Sequence, residues 1–180
     1  MTSHSLDTTL SEAAGVTLAT RGGLVLKLRP VSTADAGVVA TLLARLSPTD
    51  LRFRFLSGQS QVSADQLAMM IAVDHRHSEH LLAFDGASGE LVASLMLVAD
   101  EHMDTAEVAI AVAPEFKGRG IGWTLLKHAA DLARERGVRH LRSIESRANH
   151  QAIEVERALG FHASDYDGDA TLVLVEAELF

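Results

Sequence analysis

Cysteine is absent from this chain of 180 residues. Its absence removes disulfides, thiolate metal sites and any cysteine nucleophile or acyl-cysteine intermediate, and it is compatible with a reducing compartment. No apolar run is long enough to span a bilayer. The N-terminal stretch has neither the basic patch nor the apolar core of a secretory leader. Residues 1–22 therefore read as a flexible tail and the protein as cytoplasmic, with no membrane partner. Positive charge is not in surplus either: 16 Lys and Arg against 24 Asp and Glu leave a formal charge of −8. That speaks against nucleic acid as a partner, since its binders need a basic face. It is compatible with a cationic substrate such as an amine. No internal repeat and no low-complexity block interrupts the chain.

What is present suits one globular domain with a sizeable core, 47% of the residues being apolar. A short strand at 23–30 ends at a proline. A helix follows from Ser32 or Thr33, with Val38, Leu42, Leu43 and Leu46 inward. "LSPTDLRFRFLSG" reads as a turn and a mixed aromatic and arginine segment. Alternation there turns Phe53 and Phe55 to the core and Arg52 and Arg54 to water or to the rim of a cleft. Ser63 caps a second helix. Two strands flank the turn "GASG" as a hairpin, and "TAEVAIAVA", apolar on both faces, reads as a central strand. A helix from about Gly120 to Arg136 is stopped by Gly137. The strand "VRHLRSIES", a helix capped by Asn149 and ending at Gly160, and a closing strand complete a mixed α/β domain from residue 23 to 180.

The stretch "KGRGIG" joins the central strand to a helix. Gly118, Gly120 and Gly122 permit unusual φ and a close approach of main chain to a ligand. The first N–H groups of a helix have no internal partners, and the dipole adds partial positive charge there. Lys117 and Arg119 add whole charges, so the sum is a phosphate or diphosphate site. Plain turn chemistry is the competing reading. A Walker loop fits poorly because it needs a Gly-Lys-Ser/Thr ending and this loop ends Gly-Trp-Thr. A Rossmann fingerprint fits poorly because the loop follows a meander late in the chain. Glu107 heads the strand before the loop. By alternation it shares a face with Ala109 and Ala111, whose small side chains leave room for a substrate.

"VAPEFKGRGIGWTLLKHA" resembles the acetyl-CoA-binding motif of the GNAT N-acetyltransferase superfamily, Arg/Gln-x-x-Gly-x-Gly/Ala. Lys117, Gly120 and Gly122 stand at its fixed positions, with lysine a departure at the first. "NHQAIEVERALGF" resembles a second element of the family, Asn-x-x-Ala and a helix ending Gly-Phe, carried by Asn149, Ala152, Gly160 and Phe161. "LRPVSTADAGVVATLLARLSPTDLRFRFLSG" and "AEVAI" resemble, more narrowly, the GNAT domain of bacterial Pat-type protein-lysine acetyltransferases. The resemblance implies a single GNAT-like domain over 23–180, with a central mixed, mostly antiparallel sheet flanked by about four helices. It implies acetyl-CoA as cosubstrate and no metal. The main chain of Ile110, Ala111 and Val112 would receive the pantetheine arm, with an N–H near Ile110 polarising the thioester carbonyl. Lys117, Gly118, Arg119, Gly120, Ile121, Gly122 and Trp123 would line the diphosphate, with Asn149 nearby. The acceptor would be a primary amine, foremost a protein lysine and otherwise a small amine or amino-acid-like metabolite. A homodimer is a reasonable assembly. A binding module without catalysis is the reading of a different class.

Acetyl transfer to an ammonium needs a base, and the resemblance gives that role to Glu107, on the condition that partial burial tunes it. A solvated strand-end glutamate is the alternative. Many members place a tyrosine on the last helix as proton donor, and the aligned residue is Glu156. It lies on the side of its helix shared with Ala152, Ile153 and Leu159, and so faces inward. It is either a proton donor kept protonated by burial or, as preferred on the sequence, half of a structural ion pair with Arg147 or a nearby arginine. Glu145, on the polar strand "RSIES", is a third carboxylate for a cleft wall. "DHRHSEH" offers His75, His77 and His80 to a metal, but a solvated loop is the plainer reading, without helical His-His spacing.

Overall fold

The computed structural model describes residues 15–180. A hairpin of β1 (Val16–Ala19) and β2 (Val25–Pro30) leads into α1 (Ala36–Arg45), α2 (Pro48–Phe55) and α3 (Ala64–Ile71). The meander β3 (Ser78–Asp85), β4 (Leu91–Ala99) and β5 (Thr105–Val112) follows. Then come α4 (Ile121–Glu135), β6 (His140–Ser146), α5 (His150–Ala158), β7 (His162–Asp165) and β8 (Leu172–Glu178). The eight strands form one sheet in the order β1-β2-β3-β4-β5-β6-β8-β7, antiparallel except between β5 and β6.

Strand alternation sends the two faces of β5 into two cores. Ala106 and Val108 pack with Ile121, Leu125 and Ala129 of α4 and Ile153 of α5. Ala111 and the following Ala113 pack with Val39, Leu42 and Leu43 of α1, Leu51 of α2 and Met70 of α3. Leu125 is fully buried, and its truncation to alanine is worth about 2–5 kcal/mol. α4 ends in paired bonds, Val138 N–H to Ala133 and Gly137 N–H to Arg134, with Gly137 left-handed at φ 81°. This closes the helix where the sequence stops it.

Three readings change. Residues 16–19, assigned to the tail, are the edge strand β1; residues 1–14 of that tail lie outside the described residues. "LRFRF" is helical rather than alternating. Ser47 caps α2 by accepting from the Asp50 N–H at 3.1 Å, and Pro48 opens its first turn. Helical spacing then puts Arg54 on the inward side with Leu51 and Phe55, at i+3 and i+4. In α1, Val39 is fully buried, and Val38 is only partly buried.

Candidate active site

The parallel pairing of β5 with β6 covers only Thr105–Glu107 against His140–Arg142, whereas β5 stays paired with β4 as far as Val112. Past Glu107 the sheet is therefore open on one side of β5. The antiparallel ladder fixes which amides face that gap. Asp100 N–H bonds to Thr105 and Ala113 N–H bonds to Val92, so odd-numbered residues of β5 direct their main chain at β4. Ile110 and Val112 direct theirs into the gap. The amide of Ala111 belongs to the β4 ladder, so the expected arm-binding main chain reduces to its two neighbours.

The gap is a cleft of about 390 Å³ that brings together β5, the glycine loop, Glu145, Asn149 and Glu156. Gly118 and Gly120 are left-handed, at φ 74° and 80°. Nothing lies within 4 Å of where a Cβ on Gly118 or Gly122 would stand. The loop thus presents bare main chain to open space at the start of a 15-residue helix. Arg119 lies over Phe116, 5.1 Å from the ring centroid. Lys117 is engaged: its ammonium pairs with Asp50 of α2. The cation that the sequence offered to a phosphate is thus already paired with a carboxylate.

The three carboxylates differ. Glu107 is 46% exposed and 3.8 Å from the Nε of Arg142, so the partial burial expected of it is absent. Glu145 is half-buried; burial pushes its pKa up to about 7, against a hydrogen bond from Asn149 Nδ2 at 2.8 Å and the attraction of Arg54. Asn149 stands at the N-cap of α5 but gives its side chain to Glu145 rather than to the helix. Glu156 is 4% exposed. Burial, and then the nearby charge of Glu145, push its pKa up to about 8, against a hydrogen bond donated by the Ser143 hydroxyl. Its other oxygen has no partner among the described residues. The ion pair preferred for Glu156 on the sequence is not formed, because Arg147 pairs instead with Asp165.

Arg54, which alternation turned to water or a rim, sits among these groups. It lines the cleft and also a second cavity of about 640 Å³ walled by Met69, Met70, Met96 and Val98. Glu107 and Ala109 line both cavities as well. The Arg54 guanidinium donates to the Met96 sulfur at 3.0 Å, a weak acceptor, and feels the charges of Glu107 and Glu145. Spacing from the Ser47 cap was the signal that could have found it; Ser143 had none. The histidines do not converge. His75 bonds to Glu79, His77 to Asp74, and the buried His80 to the Met70 carbonyl. Among the described residues no set of three metal-ligating side chains is assembled, and no helix is long and apolar enough to cross a membrane.

A sheet split at one strand, with bare main chain on the open edge and a glycine turn running into a helix, is the architecture of an N-acetyltransferase. The chain belongs to the GNAT acetyltransferase family, whose model matches residues 46–161. It is 30% identical over 149 residues to an acetyltransferase of Pseudomonas aeruginosa, covering 82% of this chain and 80% of that one. A shorter stretch of 52 residues is 50% identical to a streptothricin acetyltransferase of Streptomyces lavendulae, 29% of this chain and 28% of that one. The fold superposes on the GNAT domain of S. lividans PAT with a TM-score of 0.82 at 26% identity, over 91% of this chain and 96% of that one.

Proposed function

We propose that this protein moves the acetyl group of acetyl-CoA to a primary amine by direct attack in a ternary complex, with a protein lysine as acceptor. The observation that carries the reading is the open edge of β5, with Ile110 and Val112 facing a cleft whose far end is the glycine loop. Acetyl-CoA supplies an acyl group activated as a thioester, and the chain supplies the rest. The N–H groups of Ile110 and Val112 suit the arm and its carbonyl. The N–H groups at the start of α4, with Arg119 and Trp123, suit the diphosphate.

Glu107 takes the amine's proton, from an exposed position and without the burial that the sequence reading required of it. It is the one carboxylate among the described residues that lines both cavities, and so it stands where an acceptor in the second cavity meets a donor in the first. Glu156 returns a proton to the departing sulfur. A buried acid near 8 is protonated at neutral pH and is matched to a thiol, whose pKa is about 8.5. Glu145 keeps that proton in place by like-charge repulsion.

A lysine acceptor is supported by the Pat-type resemblance of "AEVAI" and of the segment through α2, and by the likeness to the PAT domain. The second cavity suits a lysine stem, with methionine walls and the Glu107 carboxylate in its lining. A small amine is the second reading, favoured by the local identity to the streptothricin enzyme.

The test measures acetyl-CoA binding by calorimetry and acetyl transfer to lysine peptides and amines, for wild type and Glu107→Gln. Binding kept with transfer lost in the variant supports the base. A wild type that binds but transfers to no amine refutes catalysis and leaves a binding module. Incubating lysate with labelled acetyl-CoA then shows whether the protein or the small-molecule fraction carries the label.

A further inference from the structure

We propose that Arg21, on the turn between β1 and β2, is a phosphate-binding residue for the nucleotide half of the cofactor, acting with Trp123. The proposal rests on the acetyl-CoA reading above. Arg21 lies outside the glycine motif and outside the residues matched by the family model.

The turn is tightly closed. Thr20 N–H bonds to the Leu24 carbonyl at 2.8 Å, Gly23 N–H to the Thr20 carbonyl at 3.1 Å, and Leu24 N–H to the Thr20 hydroxyl at 3.1 Å. It is pressed against the cofactor loop. A Cβ on Gly22 would stand 2.6 Å from the Arg119 carbonyl oxygen, and one on Gly120 would stand 3.3 Å from the Arg21 nitrogen. The fold therefore brings a segment from the first sheet edge, about a hundred residues earlier in sequence, into main-chain contact with the loop.

The Arg21 guanidinium carbon lies 3.6 Å from the centre of the Trp123 ring, a close cation–π stack. Stacking uses the face of the guanidinium and leaves its N–H edge available, which is the geometry that phosphate oxygens match. Arg21 makes no salt bridge with any of the described carboxylates, and neither does Arg119. Lys117, the motif's own cation, is tied to Asp50. Trp123 lines the cleft, and its buried indole N–H has no acceptor among the described residues. A chain with a net charge of −8 thus gathers at one loop two guanidiniums that make no salt bridge among the described residues, beside bare glycine main chain. Polyanionic phosphate is the ligand that suits two guanidiniums beside bare main chain.

The test compares three acyl donors: acetyl-CoA, its form without the 3′-phosphate, and S-acetylpantetheine, which has no phosphate. For Arg21→Gln, the KM for acetyl-CoA should rise about tenfold, the size of one charge-assisted contact. The kcat and the response to S-acetylpantetheine should stay unchanged. The donor lacking only the 3′-phosphate tells which phosphate is held: an unchanged response to it places Arg21 on the 3′-phosphate, and an equal loss on the diphosphate. Trp123 is the only tryptophan, so its emission during a titration with coenzyme A gives the same shift in Kd without turnover. Arg21→Lys keeps the charge without the planar stack and should recover only part of the affinity.

A KM for acetyl-CoA unchanged in Arg21→Gln, or raised equally for S-acetylpantetheine, overturns the proposal, as do equal losses for Lys and Gln. Failure of the parent reading shows separately, as a wild type whose emission and calorimetry do not respond to coenzyme A.

Discussion

The two ends of the cleft are built in different ways. The end at the glycine loop is one contiguous stretch, residues 117–123, that offers main chain laid bare by its glycines, with a few cationic and aromatic side chains around it. The end at the carboxylates is assembled from side chains on α2, β5, β6 and α5. Main chain suits a ligand that never varies, because it is indifferent to most substitutions. Side chains drawn from four elements let the acceptor end change while the fold stays fixed. If that contrast is right, substitutions at the carboxylate end change turnover without changing cofactor affinity, and substitutions in the loop do the reverse.

The sharpest break falls on Glu107. Glu107→Gln keeps shape and removes the proposed base, so kcat should fall about a hundredfold or more with the Kd for coenzyme A unchanged. The mirror experiment is Gly120→Ala. An alanine at φ 80° costs about 1–2 kcal/mol, and its methyl would crowd the Arg21 nitrogen at 3.3 Å. Coenzyme A affinity should drop about five- to thirtyfold while kcat at saturation holds. Loss of both parameters together in either variant would erase the distinction between the two ends.

The same contrast divides what the sequence makes legible from what it hides. The loop is legible because its physics is local: glycines, a strand before and a helix after, all within one window. The central strand and its carboxylate are legible from alternation. Arg54 is not, because in the five residues "LRFRF" strand alternation and helical spacing fit equally well, and only the cap at Ser47 breaks the tie. The inward face of α5 predicts burial for Glu156, and it is buried. Its partner does not follow, since Ser143 reaches it across a helix–sheet packing that sequence spacing does not encode. The pairing of Lys117 with Asp50, 67 residues apart, is beyond local reading for the same reason.

A milder test separates catalysis from stability at Glu156. Its folded pKa of about 8 lies above the ordinary glutamate value of 4.5. The acid role proposed for it needs the protonated form, so wild-type kcat should fall as pH rises through about 8, and Glu156→Gln should lose that alkaline limb with kcat down about tenfold. The stability sign is opposite to that of a salt-bridged carboxylate. Between 4.5 and about 8 the folded state binds the proton that the unfolded state has released, so wild-type stability declines as pH rises through that window. Glutamine keeps a partner for Ser143 and has no charge to bury. The thermal midpoint of Glu156→Gln should therefore gain on wild type between pH 5 and pH 8; a constant difference would mean that Glu156 does not titrate in this range.

The smallest effect tests whether the two ends are insulated from each other. Asp50 belongs to α2, which carries Arg54 into the carboxylate end, yet its side chain holds Lys117 of the loop. The pair is partly exposed, at 38% for the lysine and 18% for the aspartate, so breaking it costs the fold about 0–1 kcal/mol. Removing the anion returns a full positive charge to the loop. Asp50→Asn should bind coenzyme A about two- to threefold more tightly at low salt, with the gain fading as ionic strength rises. Asparagine can still accept at Ser47, so α2 should remain in place and kcat should not move. If kcat falls while affinity rises, α2 is a mechanical link between the two ends, and the acceptor end is tuned by the occupancy of the loop. If neither moves, the Lys117–Asp50 contact is a surface pair, and the loop holds its ligand by main chain and arginine alone.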